Sequence, residues 1–363
     1  MPQHTGSLVE FEVIPPDPPN EGLLFVDHSR EDRSGHLGHA LIEYEPGKLL
    51  AFYANCSDAN KGHAAVGWTE FKRSIDGGES WSRPMEFDYS RRTFDDGHRR
   101  SVFCEKAVLA PDGAIVVVTL ECDIETNPGW HPHYAPMSLR STDGGETWED
   151  PVPVSAEPGR VYDMMRHGDE ILALEFCNDT ADTWTGTLPE HLYKLYVSDD
   201  GGNSFSLRST LPFDTEGRGY GTMSLLPDGN LIAYVYNIND EQNLDYVISH
   251  DEGHTWSEPQ TSFFERQIRN PQMTAFRDGY VLHGRSGSKG PEDLRGHFIL
   301  YTSEDGLRWD AGRYLRMQEA GAGAYSNSIV VGTLDPGDPN RVLIQASHAY
   351  EESKTNILHW WLK

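Results

Sequence analysis

Arginine, histidine and tyrosine are concentrated in polar segments that separate runs of β-branched and aromatic residues. One set of segments holds Arg91, Arg92, His98, Arg99 and Arg100, then Arg160, Arg218 with Tyr220, residues 266–270 with Arg269, and Tyr325 with Asn327. A second set spans 55–63, 121–134, 178–191, 237–243 and 285–295, the last running from Arg285 to Arg295. Of the 30 basic residues 22 are arginine, and guanidinium is planar, permanently charged and grips a carboxylate through two parallel bonds. These segments therefore suit an acidic sugar, a sialic or uronic acid, as partner. The alternative is pairing with surface carboxylates, since 57 are present and exposed pairs are common and weak.

Histidines offer a different chemistry. His36, His39, His98, His131 and His133 lie in or beside the same segments, and a histidine with a tyrosine can take a proton from the carbon next to a uronate carboxylate and protonate the leaving oxygen. A third reading needs no chemistry: Trp130, Trp184 and Tyr134 can serve as faces on which glycans or proteins stack.

Composition narrows the partners. The chain of 363 residues carries a formal charge of −27, which repels phosphate backbones and anionic lipid surfaces, so neither nucleic acid nor a membrane is expected as the main partner. No stretch approaches the roughly 18 consecutive apolar residues of a spanning helix, and Met1 to Glu10 lacks a basic-then-apolar leader pattern. A cytoplasmic location is the expectation from the sequence as written, a trimmed secretion signal remaining open. Cys56, Cys104, Cys122 and Cys177 are widely spaced without a CxxC pair, and no EF-hand loop is present, so no metal or other cofactor is expected.

The elements that position these segments are set by a repeat. SIDGGESW (74–81), STDGGETW (141–148), SDDGGNSF (198–205) and SHDEGHTW (249–256) are followed by a shortened SEDGLRW (303–309). Successive serines are 67, 57, 51 and 54 residues apart, the spacing of a four-stranded propeller blade with its loops. Each motif reads as a turn in which the Asp folds onto backbone N–H groups and the closing aromatic fills a seam, so Asp76, Asp143, Asp200, Asp251 and Asp305 are structural. Between motifs, β-rich runs flank Pro-Asp-Gly turns at 111–113 and 227–229, as hairpins require. The chain reads as all-β: a single six-bladed β-propeller, with blades near 30–90, 98–155, 160–212, 218–263, 269–316 and 322–363. The last unit lacks a motif and a fourth strand, which Val9 to Ile14 or Leu23 to Asp27 can supply to close the ring.

On these motifs the sequence resembles the sialidase-like superfamily of Asp-box propellers over nearly its whole length. The resemblance implies an exo-glycosidase acting on a terminal acidic sugar. Gly323-Ala324-Tyr325-Ser326 is similar to the segment that supplies the nucleophilic tyrosine, which implies that role for Tyr325. Asp95 or Asp96, after the first Asp-box, is similar to the general acid, and Arg92, Arg218, Arg269 and Arg285, with His98 and Tyr220, are implied to bind substrate. Two departures stand out. The first blade opens on His36-Leu37-Gly38-His39 where such enzymes carry an arginine, and Arg218-Gly219-Tyr220 stands where a glutamate should polarise the tyrosine. His39 resembles the histidine of propellers that cleave rhamnose–glucuronate linkages, which keeps a lyase or unusual glycosidase open beside the hydrolase and the binding module.

Overall fold

Each Asp-box is a self-satisfied turn. In the first, Ser74 donates to Asp76 Oδ1 at 2.8 Å, the Gly78 N–H donates to Ser74 Oγ at 2.8 Å, and the Ser80 N–H donates to Asp76 Oδ1 at 2.9 Å. The same three bonds recur around Asp143, Asp200 and Asp251, and in shortened form around Asp305. The glycine contacts the blade before it: at Gly145, with φ +80°, a Cβ would fall 2.8 Å from Leu50 Cδ1. Box aromatics fill the same seams, Trp148 lying edge-on to Phe87 at 5.1 Å and Trp309 stacking on Phe264 at 5.8 Å.

The computed structural model describes residues 8–14, 23–28, 32–57, 64–178, 185–286, 298–315, 325–348 and 355–363. Two N-terminal strands, β1 (Val13–Ile14) and β2 (Leu23–Val26), precede the first blade, whose strands are β3 (Arg33–Ser34), β4 (Leu41–Glu45), β5 (Lys48–Ser57), β6 (Gly67–Ser74) and β7 (Met85–Glu86). After helix α1 (Asp88–Asp95) comes the second blade, β8 (Arg100–Leu109), β9 (Ile115–Asp123), β10 (Met137–Ser141) and β11 (Val152–Pro153). The third contains β12 (Arg160–His167), β13 (Glu170–Cys177), β14 (Leu192–Ser198) and β15 (Ser206–Thr210). The fourth contains β16 (Arg218–Leu225), β17 (Leu231–Asn237), β18 (Asn243–Ser249) and β19 (Gln260–Phe263). The fifth contains β20 (Arg269–Phe276), β21 (Gly279–Arg285), β22 (Phe298–Ser303) and β23 (Arg313–Leu315), and the sixth β24 (Ser326–Val331), β25 (Arg341–His348) and β26 (Asn356–Leu362).

Ring closure uses both N-terminal strands. Val13 pairs with Leu362, and Leu23 pairs with His359, so β1 and β2 share the outer edge of β26. Blade 1 departs from simple alternation because its innermost strand is interrupted: β3 and β4 both pair with β5, and the excursion between them carries His36 and His39 toward the axis.

Helix α1 is an addition to the all-β expectation. Asp88 sits in its first turn, Arg92 pairs with Asp88 and Arg91 with Asp95 at i,i+4 spacing, and Ser90 and Phe94 turn inward. Eight residues are too few to raise a helical period above the surrounding turns, so the pattern escapes a reading of periodicity.

Candidate functional site

Four consecutive inner strands break register at equivalent points. Glu105 in β8, Tyr162 in β12, Tyr220 in β16 and Asn270-Pro271 in β20 are each bypassed by the ladder to the second strand of the blade. A bulge leaves the extra residue unpaired and re-aims it. Here all four bulges face one end of the axis, and Tyr220 and Asn270 take positive φ values of +35° and +52° to do so.

Of these residues Tyr162 and Tyr220, with the blade 1 excursion and the segment after β9, line a cavity of about 320 Å³. Its walls include His36, Trp130, His131, Arg160, Tyr162, Asn178, Tyr220, Arg269, Arg285 and Tyr325. The volume is at the small end of the roughly 300–1,000 Å³ of small-molecule sites, so one or two sugar rings fit.

Two features dominate its chemistry. The hydroxyls of Tyr220 and Tyr325 are 2.8 Å apart, and the His36 ring lies edge-on to Tyr325 at 4.4 Å. Burial first, then the neighbouring phenols, pushes Tyr220 well above its ordinary pKa, so it keeps its proton. Burial likewise raises Tyr162 to about 12, Arg160 pulling the other way.

Three guanidiniums form the second feature. Arg160 is held by Glu105, whose Oε2 accepts at 2.5 and 3.1 Å. Burial works against the charge of Arg160, but Glu105 and the adjacent phenols outweigh it and the pKa rises. Arg269 pairs with Glu241 at 3.3 Å, and Arg285 stands 5.9 Å from the Tyr325 ring centre. Three guanidiniums thus stand at the wall of one cavity in an acidic protein.

The residues singled out in the sequence are divided by the fold. Tyr325, Tyr220, Arg269 and Arg285 line the cavity together. His39 lies beneath it, buried, with its pKa pushed down to about 3 chiefly by burial. Arg218 instead pairs with Asp245 at 2.6 Å. Arg92, Asp95, Asp96 and His98 are exposed on or just after α1 and do not line the cavity. Trp130 is a buried wall packed on Phe103 at 4.5 Å rather than an open platform, and Arg100 covers the Tyr134 ring at 4.2 Å. Trp184, Arg295, Gly323 and Ala324 lie outside the described residues.

Glu105 and Tyr162 escaped the sequence reading. Their signal is positional: Arg160-Val-Tyr162 and Arg218-Gly-Tyr220 open successive blades in the same way, which marks the third residue of each as equivalent.

The BNR/Asp-box repeat family matches residues 139–150, which span the second box. No curated protein sequence matches the chain. Among solved structures, a protein of unknown function from Dyadobacter fermentans superposes with a TM-score of 0.72 at 16% identity, over 94% of this chain and 98% of the other. A point mutant of NanB sialidase from Streptococcus pneumoniae gives 0.64 at 11%, over 94% and 70%. The intramolecular trans-sialidase from Ruminococcus gnavus, solved with oseltamivir carboxylate, gives 0.60 at 11%, over 93% and 96%. At these identities the likeness is one of architecture, and fold alone does not fix activity. The chain is thus an all-β, six-bladed propeller of the sialidase-like fold, built on Asp-box repeats.

Proposed function

We propose that the protein is a carbohydrate-active enzyme that removes a terminal acidic sugar bound in the axial cavity. The observation that carries this reading is the convergence of Arg160, Arg269 and Arg285 on the hydrogen-bonded pair Tyr220–Tyr325. Arg269 and Arg285 grip the sugar carboxylate, and Trp130 supplies an apolar wall. Tyr220, held protonated, donates to the Tyr325 oxygen and stabilises negative charge there. In hydrolysis the Tyr325 hydroxyl gives its proton to a histidine of the wall as its oxygen bonds to the anomeric carbon and the glycosidic C–O bond breaks, the leaving oxygen takes a proton, and water then displaces the tyrosine, one of its protons returning to the phenol oxygen and its hydroxyl staying on the sugar. His36 and His131 at the wall are better placed to supply the leaving oxygen's proton than Asp95 or Asp96 at the exposed end of α1.

A lyase is the second reading, favoured by the partner of Tyr325 being a phenol and by the packing of His36 on its ring. A base would then take the proton beside the carboxylate, the electron pair would form a C=C bond, and the leaving oxygen would gain a proton without water.

Incubating purified protein with sialyl and glucuronyl oligosaccharides separates these outcomes. Release of a saturated acidic monosaccharide that Tyr325→Phe abolishes supports the hydrolase. An ultraviolet-absorbing unsaturated uronate identifies the lyase, and tight binding without turnover leaves a glycan-binding propeller.

A further inference from the structure

Beneath Tyr325 the cavity continues into a smaller space of about 40 Å³, bounded by His39, Glu105, Lys106, Asn270 and Asn327. Arg160, Tyr162, Tyr220 and Tyr325 border both, so the smaller space is the floor of the larger. Its polar groups are not all satisfied. Asn270 is 5% exposed, and neither its Oδ1 nor its Nδ2 has a hydrogen-bonding partner among the described residues. Glu105 is 8% exposed, and while Oε2 takes both bonds from Arg160, Oε1 has no such partner.

Buried polar atoms left alone are costly, and an asparagine at φ +52° adds backbone strain, so two penalties coincide at one residue. The neighbouring amides do not relieve them. Lys106 is bound to Asp163 at 3.2 Å and to Asn327 at 2.8 Å, and Gln345 donates both its hydrogens, to Phe52 O and to His39 Nδ1, while accepting from His359. The Nε2 of His39, which borders the same space, has no hydrogen-bonding partner among the described residues either.

The unmet groups define what fits. Asn270 needs both an acceptor for its N–H and a donor for its oxygen, and Glu105 Oε1 needs a donor. The charges at this floor are already paired, Glu105 with Arg160 and Lys106 with Asp163, so neither an anion nor a cation is needed to balance them. A neutral hydroxyl, which donates and accepts, meets the requirement, and the volume holds one or two oxygen-sized groups.

We propose that this floor is a hydroxyl-binding subsite in which Asn270 and Glu105 hold one neutral O–H group, a water in the free protein and a hydroxyl of the acidic sugar in the complex. The second half rests on the reading of the main cavity as a sugar site.

Crystal structures of the full chain, alone and with glucuronate, and calorimetric titration of glucuronate into Asn270→Gly and Asn270→Leu test it. Glycine accepts the positive φ and removes the side chain with its amide, so that variant should melt with the parent and bind glucuronate roughly tenfold more weakly, the loss of about one buried hydrogen bond. The leucine variant fills the space and should bind at least as weakly. An oxygen bonded to Asn270 and Glu105 Oε1 in the free protein, replaced by a sugar hydroxyl in the complex, bears the proposal out. A water that persists beneath the bound sugar, with unchanged affinity in Asn270→Gly, overturns the sugar half. No ordered oxygen in the free protein overturns the subsite itself. Failure of glucuronate to bind the parent counts against the acidic-sugar reading, while density in the free protein still decides the subsite.

Discussion

Tyr220 on the bulge of β16 and Tyr325 at the entry to β24 place their hydroxyls 2.8 Å apart although 105 residues separate them. The two phenols share one hydrogen bond but are an asymmetric pair, since Tyr220 is buried, which raises its pKa, while Tyr325 is only half-buried.

The asymmetry predicts unequal effects. Tyr325→Phe should lower turnover by about a thousandfold or more, and Tyr220→Phe by roughly ten- to a hundredfold, with substrate KM little changed in both. Steady-state kinetics on whichever of the sialyl or glucuronyl oligosaccharides is turned over would decide. Equal losses in the two variants would mean that neither oxygen has a distinct role.

Arg160 and Glu105 form a buried ion pair at 2.5 Å, both about 8% exposed. Removing one partner strands the other charge, so Arg160→Met should cost roughly 3–5 kcal/mol in urea unfolding, while Arg160→Met combined with Glu105→Leu should recover most of it. Additive losses would show that the two side chains act separately.

The Asp-boxes predict an acid-labile ring. Hydrogen bonds from Ser80, from Thr147 and from Thr255 lower Asp76, Asp143 and Asp251 to about 2, below the ordinary value near 3.9. Lowered carboxyls stabilise the fold above the unfolded value and lose that contribution as pH falls from about 4 toward 2. Asp143→Ala should therefore reduce the acid dependence of the melting temperature and lower the melting temperature at neutral pH, with turnover retained. Wild-type stability with lost turnover would reassign Asp143 to the chemistry.

Glu175 behaves in the opposite sense. Burial raises its carboxyl to about 7, against the pull of Ser155, Cys177 and Lys194, with Glu157 adding to the rise. A raised carboxyl keeps its proton in the folded state after the unfolded chain has lost it, so stability should fall as pH rises from about 4.3 to about 7. Glu175→Gln should flatten the melting temperature over that window. An unchanged slope would place the titration elsewhere.

The architecture was legible because its signal is local: a box closes on its own Ser, Asp and Gly within five residues, and five boxes at blade spacing, with one motif-less unit after them, give six blades. The site was legible only in part. Tyr220, Tyr325, Arg269 and Arg285 stood out by type in the right segments. Glu105 and Asn270 did not, because what brings them to the axis is a shift of register between paired strands, and that shift is a property of two strands rather than of either sequence. Asp95 and Asp96 show the converse, since their position after the first box was read correctly while the eight-residue helix that holds them at the surface was not.

Closure of the ring sets an order of assembly. Among the strands of the ring, those that complete blade 6 are made before any blade strand and their partner β26 after them all, with Glu12 and Lys363 exchanging backbone bonds of 2.7 and 2.9 Å only when both are present. Until β26 leaves the ribosome, β1 and β2 have no native edge to join, and the seam between blades 6 and 1 stays open. A chain halted anywhere short of β26 is thus left with an unlatched propeller, whose bare edges a chaperone or a protease can distinguish from the finished ring.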